Sequence, residues 1–252
     1  MKPKRSLGQN FLRNKNLANS IVRYVLNSQP KRILEVGPGT GVFTNLFIKQ
    51  GISVVAIEKD DELSQILSSL NSPQLKLINR DILEISREET IKLMEKDSGS
   101  VCFGALPYNI SKKIISHLVP FGIFSESFFI IQKEVAEKYL LTKKGNRLSS
   151  FINAFVETKV IMSIAPANFF PVPKVTSALI QFKRLREPMI LGEDLLRYNS
   201  FVKALYNNQR KMLHKNPIFK NTTLPNSVEN LRPEELSLEA VIELFINTKQ
   251  SL

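Results

Sequence analysis

Three acidic side chains occupy positions from which they could bind a nucleoside-like ligand. Glu35 stands just before a glycine-rich turn, and Glu58 and Asp81 each follow a short apolar run that predicts a strand. In nucleotide-binding α/β folds, an acid at the end of the second strand binds ribose hydroxyls. A carboxylate on the next strand can accept a hydrogen bond from an adenine amine. The spacing therefore predicts that Glu58 binds a ribose and Asp81 an adenine.

The turn after Glu35 indicates which kind of nucleoside is expected. Its sequence is E-V-G-P-G-T-G, with glycines at 37, 39 and 41, which let the backbone turn sharply and approach a ligand. A dinucleotide site requires G-x-G-x-x-G, so that a helix N-terminus can hold a pyrophosphate, and here the third glycine comes one residue early. Glu35 would repel a pyrophosphate, but it suits a ligand with a cationic amino group and a sulfonium.

The elements that must position these residues follow a β-α-β pattern. Apolar residues at 33–36 are typical of a strand covered on both faces, and helical spacing over 42–50 predicts a helix that ends at Gly51. Pro107 marks the point where a later strand leaves the sheet. We therefore expect a mainly parallel α/β sheet that binds ligands at its carboxyl edge. Further patterns predict strands at 53–57, 75–78, 101–104, 128–131 and 175–182, and helices at 15–27, 87–96, 114–120, 134–141, 193–215 and 233–247.

Charge is concentrated at the two ends of the 252-residue chain, whose formal net charge is +12. Residues 1–32 have eight Lys or Arg and no acid, residues 33–182 have sixteen against fifteen acids, and residues 183–252 have eleven against eight. This distribution predicts a polyanionic partner for the ends of the chain. Because the composition becomes more charged at 184–188, we place a domain boundary between residues 187 and 188.

Composition also excludes several classes of protein. A single cysteine, Cys102, allows no disulfide within the chain, and two separated histidines give no metal-ligand cluster. The sequence has neither a secretory signal nor an uninterrupted apolar stretch of about 18 residues. We therefore expect a soluble cytoplasmic protein without a metal site or a membrane span.

Exposed cations are the candidates for binding a polyanion. Arg147 ends a basic loop at 143–147, and residues 195–228 contain six Lys or Arg and no acid. The helix predicted at 193–215 would place Asn207, Arg210, Lys211 and His214 on one face, which suits a nucleic-acid backbone. The alternative is an ordinary solvated surface in both segments. The candidates are Lys4, Arg5, Arg147, Lys203, Arg210 and Lys211.

Four motifs, in order, resemble one enzyme family. A-L-P-Y-N-I-S at 105–111 is similar to the N-L-P-Y motif of amino-group methyltransferases. With L-G-Q-N-F-L at 7–12, the glycine turn, and N-F-F-P-V-P-K-V-T-S-A at 168–178, it resembles the ribosomal RNA small-subunit adenine dimethyltransferases (dimethyladenosine transferases) over nearly the whole chain. These segments favour the KsgA-type housekeeping branch over the erythromycin-resistance branch, which acts on large-subunit RNA.

The resemblance implies a fold and an activity. The fold is α/β, a Rossmann-like S-adenosylmethionine (SAM)-dependent class I methyltransferase sheet over residues 1–187, with a small all-α RNA-binding domain at 188–252. The activity is transfer of four methyl groups from SAM to the N6 amines of two adjacent adenosines near the 3′ end of 16S small-subunit rRNA, which leaves S-adenosylhomocysteine. The implied partner is the small ribosomal subunit, and the implied oligomeric state is a monomer.

The same resemblance assigns roles to individual residues. Tyr108 and Phe170 would stack on the target base, and the Leu106 carbonyl would accept a hydrogen bond from its amine. The catalytic group is Ala105, Leu106, Pro107, Tyr108 and Phe170. The cofactor-binding group is Gln9, Asn10, Leu12, Glu35, Gly37, Gly39, Thr40, Gly41, Glu58, Lys59, Asp81, Ile82 and Ala105.

One residue departs from the family pattern. Where the family has Asn, this chain has Ala105, so a side-chain amide acceptor is missing. Backbone carbonyls could position the target amine without this side chain, with slower turnover.

Two other functions remain as alternatives to RNA methylation. One is an assembly factor that binds RNA without catalysis, which the alanine at position 105 would permit. The other is a small-molecule methyltransferase, which would not need the basic N-terminal segment.

Overall fold

Short strands alternate with helices over the residues that the computed structural model describes, which are 9–95, 99–220 and 222–249. The strands are β1 (Phe11–Leu12), β2 (Arg32–Val36), β3 (Ser53–Glu58), β4 (Leu75–Asn79), β5 (Ser100–Ala105), β6 (Glu126–Gln132), β7 (Val156–Ile164), β8 (Phe169–Phe170) and β9 (Ser177–Arg184). The α-helices are α1 (Lys15–Leu26), α2 (Val42–Lys49), α3 (Asp61–Ser68), α4 (Arg87–Leu93), α5 (Ser111–Leu118), α6 (Lys133–Glu137), α7 (Arg147–Ile152), α8 (Leu195–Asn207) and α9 (Leu238–Lys249).

Seven strands form one mixed sheet in the order β4-β3-β2-β5-β6-β9-β7. The five strands β4, β3, β2, β5 and β6 are parallel to one another, and β9 is antiparallel to β6. This confirms the α/β fold predicted from the sequence, including all six predicted strands. β7 and the two-stranded β1–β8 sheet were not predicted.

The strand order creates the crevice where a ligand can bind. From β2 the chain moves outward to β3 and β4, and then returns to place β5 on the other side of β2. The connections that follow β2 and β5 therefore run in opposite directions from these neighbouring strands. An α/β sheet has a crevice at the carboxyl ends of two such strands. The residues at this opening are Gly37, just after β2, and Ala105, the last residue of β5.

Three phenylalanine rings pack together in the core beside this crevice. The ring of Phe103 on β5 lies 4.6 Å from that of Phe43 and 5.2 Å from that of Phe47, measured between centroids. Both partners come from α2, which follows the glycine turn. Burial of these rings holds α2 against the sheet and so fixes the position of the turn.

The chain divides into two units, of which the first comprises 1–136 and 159–184 and the second 137–158 and 185–252. The second unit therefore includes residues 137–158, which the sequence analysis had placed in the larger domain. Buried contacts of Tyr198 explain this, since its ring packs on Phe151 and Phe155 and its hydroxyl donates to the Ser150 carbonyl at 2.7 Å.

Several predicted helices are shorter in the structure, and two of them end at least four residues early. α6 ends at Glu137 instead of 141, and α8 ends at Asn207 instead of 215. The predicted helical face of Asn207, Arg210, Lys211 and His214 was therefore wrong. Residues 208–211 form a turn, and the buried Asn216 side chain donates to the Leu205 carbonyl at 3.0 Å, which satisfies a carbonyl at the end of α8.

Among the described residues, the helices are too short and too polar to cross a lipid bilayer.

The Tyr198 hydroxyl yields a prediction for stability. Tyr198→Phe should lower the free energy of unfolding by about 1 to 2 kcal/mol, because the buried Ser150 carbonyl loses its donor. Denaturant unfolding followed by circular dichroism measures this change. Tyr24→Phe is the control, since that hydroxyl is half-buried and lies 3.3 Å from its acceptor on Gln181. Equal losses of unfolding free energy in the two variants would show that the buried hydrogen bond of Tyr198 makes no special contribution to stability.

Candidate active site

The glycine turn lies at the carboxyl edge of β2 and forms one wall of a cavity in the first unit. Gly39 has φ +60°, and a β-carbon there would lie 3.0 Å from the Phe11 ring. Gly41 has φ +78°, and its β-carbon would lie 2.9 Å from Leu67. Glycine is therefore required at both positions, first for the backbone conformation and second for the close approach of these side chains.

Glu58, at the end of β3, is hydrogen-bonded to the glycine turn. One carboxylate oxygen accepts the Gly39 N–H at 3.0 Å, and the other accepts the Asp60 N–H at 2.9 Å. Burial raises the pKa of Glu58 above its ordinary value, and these two N–H groups partly offset that rise. Each oxygen has a further lone pair, so the carboxylate can also accept hydrogen bonds from a diol at the cavity.

Asp81 follows β4 and lies in an ion pair. Its Oδ2 atom is 2.7 Å from Lys59 Nζ, and its Oδ1 atom accepts the Leu83 N–H at 2.9 Å. Partial burial raises the pKa of Asp81, but the Lys59 and Leu83 hydrogen bonds outweigh that effect, so the pKa lies below its usual value. Asp81 is therefore a charged acceptor at neutral pH.

A histidine that sequence analysis did not identify holds the segment after Asp81. The Nε2 atom of His117, on α5, donates to the Ile85 carbonyl at 2.9 Å. The side chain of Arg80, just before Asp81, donates to the Glu84 carbonyl of this segment at 3.1 Å. His117 lies 32 residues from Ile85 and belongs to no motif, so nothing in the sequence indicated the contact.

Glu35 lines the cavity but is only 1% exposed. The Thr44 hydroxyl donates to its Oε2 atom at 2.7 Å. Burial raises the pKa of Glu35 to about 7, the Thr44 hydrogen bond opposes this rise, and the nearby Glu58 charge adds to it. Glu35 is therefore near the midpoint of its titration at neutral pH, and a cation bound in the cavity would favour its charged form.

The opposite wall is the turn that follows β5. The Leu106 N–H donates to the Ile130 carbonyl at 3.0 Å, which fixes the turn to β6. The Tyr108 hydroxyl and the Ser177 hydroxyl lie 2.6 Å apart, which fixes the tyrosine ring. A β-carbon at Gly104 would lie 2.8 Å from the Val36 carbonyl oxygen, so this glycine allows β5 to approach the end of β2.

The segment before α1 covers the cavity. Gln9 Nε2 donates to Asp60 Oδ2 at 2.9 Å, close to the Glu58 site. In the β1–β8 sheet, Phe11 is opposite Phe170 and Leu12 is opposite Phe169. This short sheet joins the covering segment to the F-F-P-V-P-K-V motif.

The structure brings together most of the predicted site residues. The predicted residues that line the cavity are Gln9, Asn10, Leu12, Glu35, Gly37, Gly39, Thr40, Glu58, Lys59, Asp81, Ile82, Ala105, Leu106, Pro107 and Tyr108. Gly41 instead stands at the start of α2, next to the cavity wall.

The cavity is lined by Phe169 and not by its neighbour Phe170, which was the residue predicted from the sequence. Phe170 is 47% exposed and is not among the residues that line the cavity. Phe169 is 2% exposed and does line it. Successive strand residues point to opposite faces of the sheet, and the sequence alone could not indicate which of the two rings lies against the cavity.

The cations proposed to bind RNA lie elsewhere. Arg147, Lys203, Arg210 and Lys211 are all exposed in the second unit. Lys4 and Arg5 fall outside the described residues.

The raised pKa of Glu35 predicts a pH-dependent loss of stability. The folded state favours protonated Glu35, so its contribution is fully present below the unfolded pKa near 4.5 and is lost as pH rises through about 7. Glu35→Gln keeps an acceptor for Thr44 without the charge. We expect it to stabilise the protein at pH 8 by about 1 to 3 kcal/mol and to have little effect at pH 4.

Thermal unfolding at both pH values measures this effect, with the exposed Glu134→Gln as the charge-matched control. A gain at pH 8 that is equal in both variants would show that net charge, not burial of Glu35, is responsible.

Comparison with known proteins identifies the family. Residues 1–246 match the family model for ribosomal RNA adenine dimethylase. A ribosomal RNA small subunit methyltransferase A from Sulfurihydrogenibium sp. is 37% identical, over 97% of this chain and 96% of the relative. A chloroplastic ribosomal RNA small subunit methyltransferase from Arabidopsis thaliana is 31% identical, over 96% of this chain and 78% of the relative.

Two solved structures share the fold. A dimethyladenosine transferase from Plasmodium falciparum has a TM-score of 0.73 at 19% identity, covering 95% of this chain and 98% of that one. The 23S rRNA methyltransferase ErmE has a TM-score of 0.67 at 22% identity, covering 95% and 100%. On its sequence and its fold, this chain belongs to the ribosomal RNA adenine dimethylase family and is a SAM-dependent rRNA methyltransferase.

Proposed function

We propose that this enzyme dimethylates the N6 amines of two adjacent adenosines near the 3′ end of small-subunit rRNA. One observation carries the proposal: a single cavity is lined both by the acids that suit a nucleoside and by the A-L-P-Y turn. The names of the curated relatives support the small subunit as the substrate. In this proposal the enzyme acts as a cytoplasmic monomer on the small ribosomal subunit.

The residues of the first wall fit SAM. Glu58 would accept hydrogen bonds from the ribose hydroxyls, and Asp81 from the adenine amine. Absence of side chains at Gly37 and Gly39 leaves backbone exposed to the methionine end, while the covering residues Gln9 to Leu12 close over it. When bound, SAM supplies an activated methyl group on a sulfonium, whose positive charge the Glu35 carboxylate would favour.

The opposite wall suits the acceptor. An exocyclic adenine amine is a poor nucleophile, because its lone pair is delocalised into the ring. A carbonyl oxygen that accepts a hydrogen bond from this amine draws the nitrogen lone pair out of conjugation with the ring. It also fixes the direction from which the nitrogen attacks the methyl group. The Leu106 carbonyl is the acceptor in this proposal. Tyr108, fixed by Ser177, and Phe169 would hold the base in the cavity.

An adenine can reach this cavity only after it leaves its stack in the RNA. Phosphate contacts then position the rest of the substrate without reading its sequence. Exposed cations of the second unit are suited to that role, and we include Lys4 and Arg5 by their sequence position. The full set is Lys4, Arg5, Arg147, Lys203, Arg210 and Lys211.

Ala105 favours a second candidate function. It lines the cavity where the family has an amide, so one acceptor for the target amine is missing. If the remaining acceptors do not suffice, the protein would bind the small subunit as an assembly factor without turnover.

Methyl transfer distinguishes these functions. Labelled methyl from SAM should enter unmodified small subunits as dimethyladenosine, and it should not enter large-subunit RNA or free adenosine. Label in large-subunit RNA alone would contradict the proposed substrate. Binding of both SAM and small subunits without any label would favour the assembly factor.

Restoring the amide should increase the rate. Ala105→Asn adds an acceptor for the target amine, and one hydrogen bond of about 1.4 kcal/mol corresponds to about a tenfold higher kcat. Single-turnover methyl transfer to small subunits measures the change. Ala105→Leu is the control, because it has the shape of Asn without an acceptor, and it should not raise kcat. Equal rates for Ala105→Asn and the unaltered enzyme would show that this amide has no role here.

A further inference from the structure

An exposed aromatic ring lies beside the cavity and has no role in the reaction described above. Phe170 is 47% exposed, although it is a large apolar side chain. Its chain neighbour Phe169 and its cross-strand partner Phe11 both line the cavity. Phe170 is therefore the immediate neighbour of two residues that line the cavity where the target base is proposed to bind.

An arginine covers part of this ring. The guanidinium carbon of Arg13 lies 5.2 Å from the centroid of Phe170, within the range of a cation–π contact. Two hydrogen bonds hold the backbone around Arg13 next to the residue that comes two positions before Phe170. The backbone N–H of Arg13 donates to the Asn168 carbonyl at 2.7 Å, and the adjacent Asn14 side chain donates to Asn168 Oδ1 at 2.9 Å.

The charge around the ring suits a nucleic acid. Residues 9–34, which include Arg13, contain five Lys or Arg and no acid. Residues 159–184, which include Phe170, contain four Lys or Arg and no acid. Neither of these two segments therefore contains an acid that would repel an anionic partner.

We propose that Phe170 and Arg13 form a stacking platform for the unpaired base next to the target adenosine. A base whose neighbour has left the stack loses one stacking partner, and an aromatic side chain can replace that partner whatever the base is. The guanidinium N–H groups would bind the phosphate between the two nucleotides. This inference rests on the proposed RNA substrate, and it adds a nucleotide site outside the cavity.

An RNA base explains the observed arrangement better than an apolar protein surface would. Burial beneath an apolar partner would remove the Arg13 guanidinium from water without giving it an acceptor, which is costly. A nucleotide offers both a π-face for the ring and a phosphate for the guanidinium.

Three variants test the platform. Phe170→Leu should raise the KM for unmodified small subunits by about tenfold, since stacking of one base on an aromatic side chain is worth about 1 to 3 kcal/mol. Phe170→Trp keeps the stacking and should keep the KM. Val172→Ala, at a neighbouring exposed apolar position, is the matched control and should leave the KM unchanged. Cofactor affinity should be the same in all three variants.

A second measurement reports on the platform without methyl transfer. A single-stranded RNA is prepared with the fluorescent base 2-aminopurine next to the target adenosine. Binding to the unaltered enzyme and to Phe170→Trp should quench the fluorescence, and Phe170→Leu should reduce the quenching.

The outcomes are distinct. Unchanged KM and quenching in Phe170→Leu would overturn the proposal. Equal impairment of Phe170→Leu and Phe170→Trp would also overturn it, because it would show a packing role rather than stacking. If the unaltered enzyme transfers no methyl to small subunits, the proposed function fails, while the quenching experiment still tests the platform.

Discussion

The site depends on the two hydrogen bonds that Glu58 accepts. The Gly39 N–H binds one carboxylate oxygen and the Asp60 N–H binds the other, so one buried acid joins the glycine turn after β2 to the loop after β3. Asp60 in turn accepts a hydrogen bond from Gln9 of the covering segment. Three separate parts of the chain are thus held at fixed positions around one acid, and charge-assisted hydrogen bonds partly offset the free energy cost of its burial.

The strand order places the acceptor wall opposite this acid. Because β5 returns to the side of β2 away from β3, the A-L-P-Y turn emerges next to the glycine turn. Gly104 permits the close approach to the Val36 carbonyl, and Ser177 on β9 fixes the Tyr108 ring. His117 extends the same network, since α5 follows the acceptor turn and holds the segment after Asp81. Both walls are therefore positioned by a single sheet.

The sequence predicted those parts of the site that depend on local patterns. Glu58 and Asp81 could be assigned because apolar runs mark strands, and the ends of parallel strands share one edge. Contacts between distant residues leave no such pattern. Phe169 and Phe170 are chemically identical, so the sequence could not show that Phe169 is the one that lines the cavity. Likewise, the early end of α8 and the grouping of 137–158 with the C-terminal residues depend on buried contacts of Asn216 and Tyr198.

A crystal structure of the enzyme with S-adenosylhomocysteine tests the proposed site most directly. We expect both ribose hydroxyls to donate to Glu58, the adenine amine to donate to Asp81, and the sulfur to point toward the Leu106 carbonyl. A ligand bound away from Glu58, or one whose sulfur faces away from the A-L-P-Y turn, would contradict the proposed site.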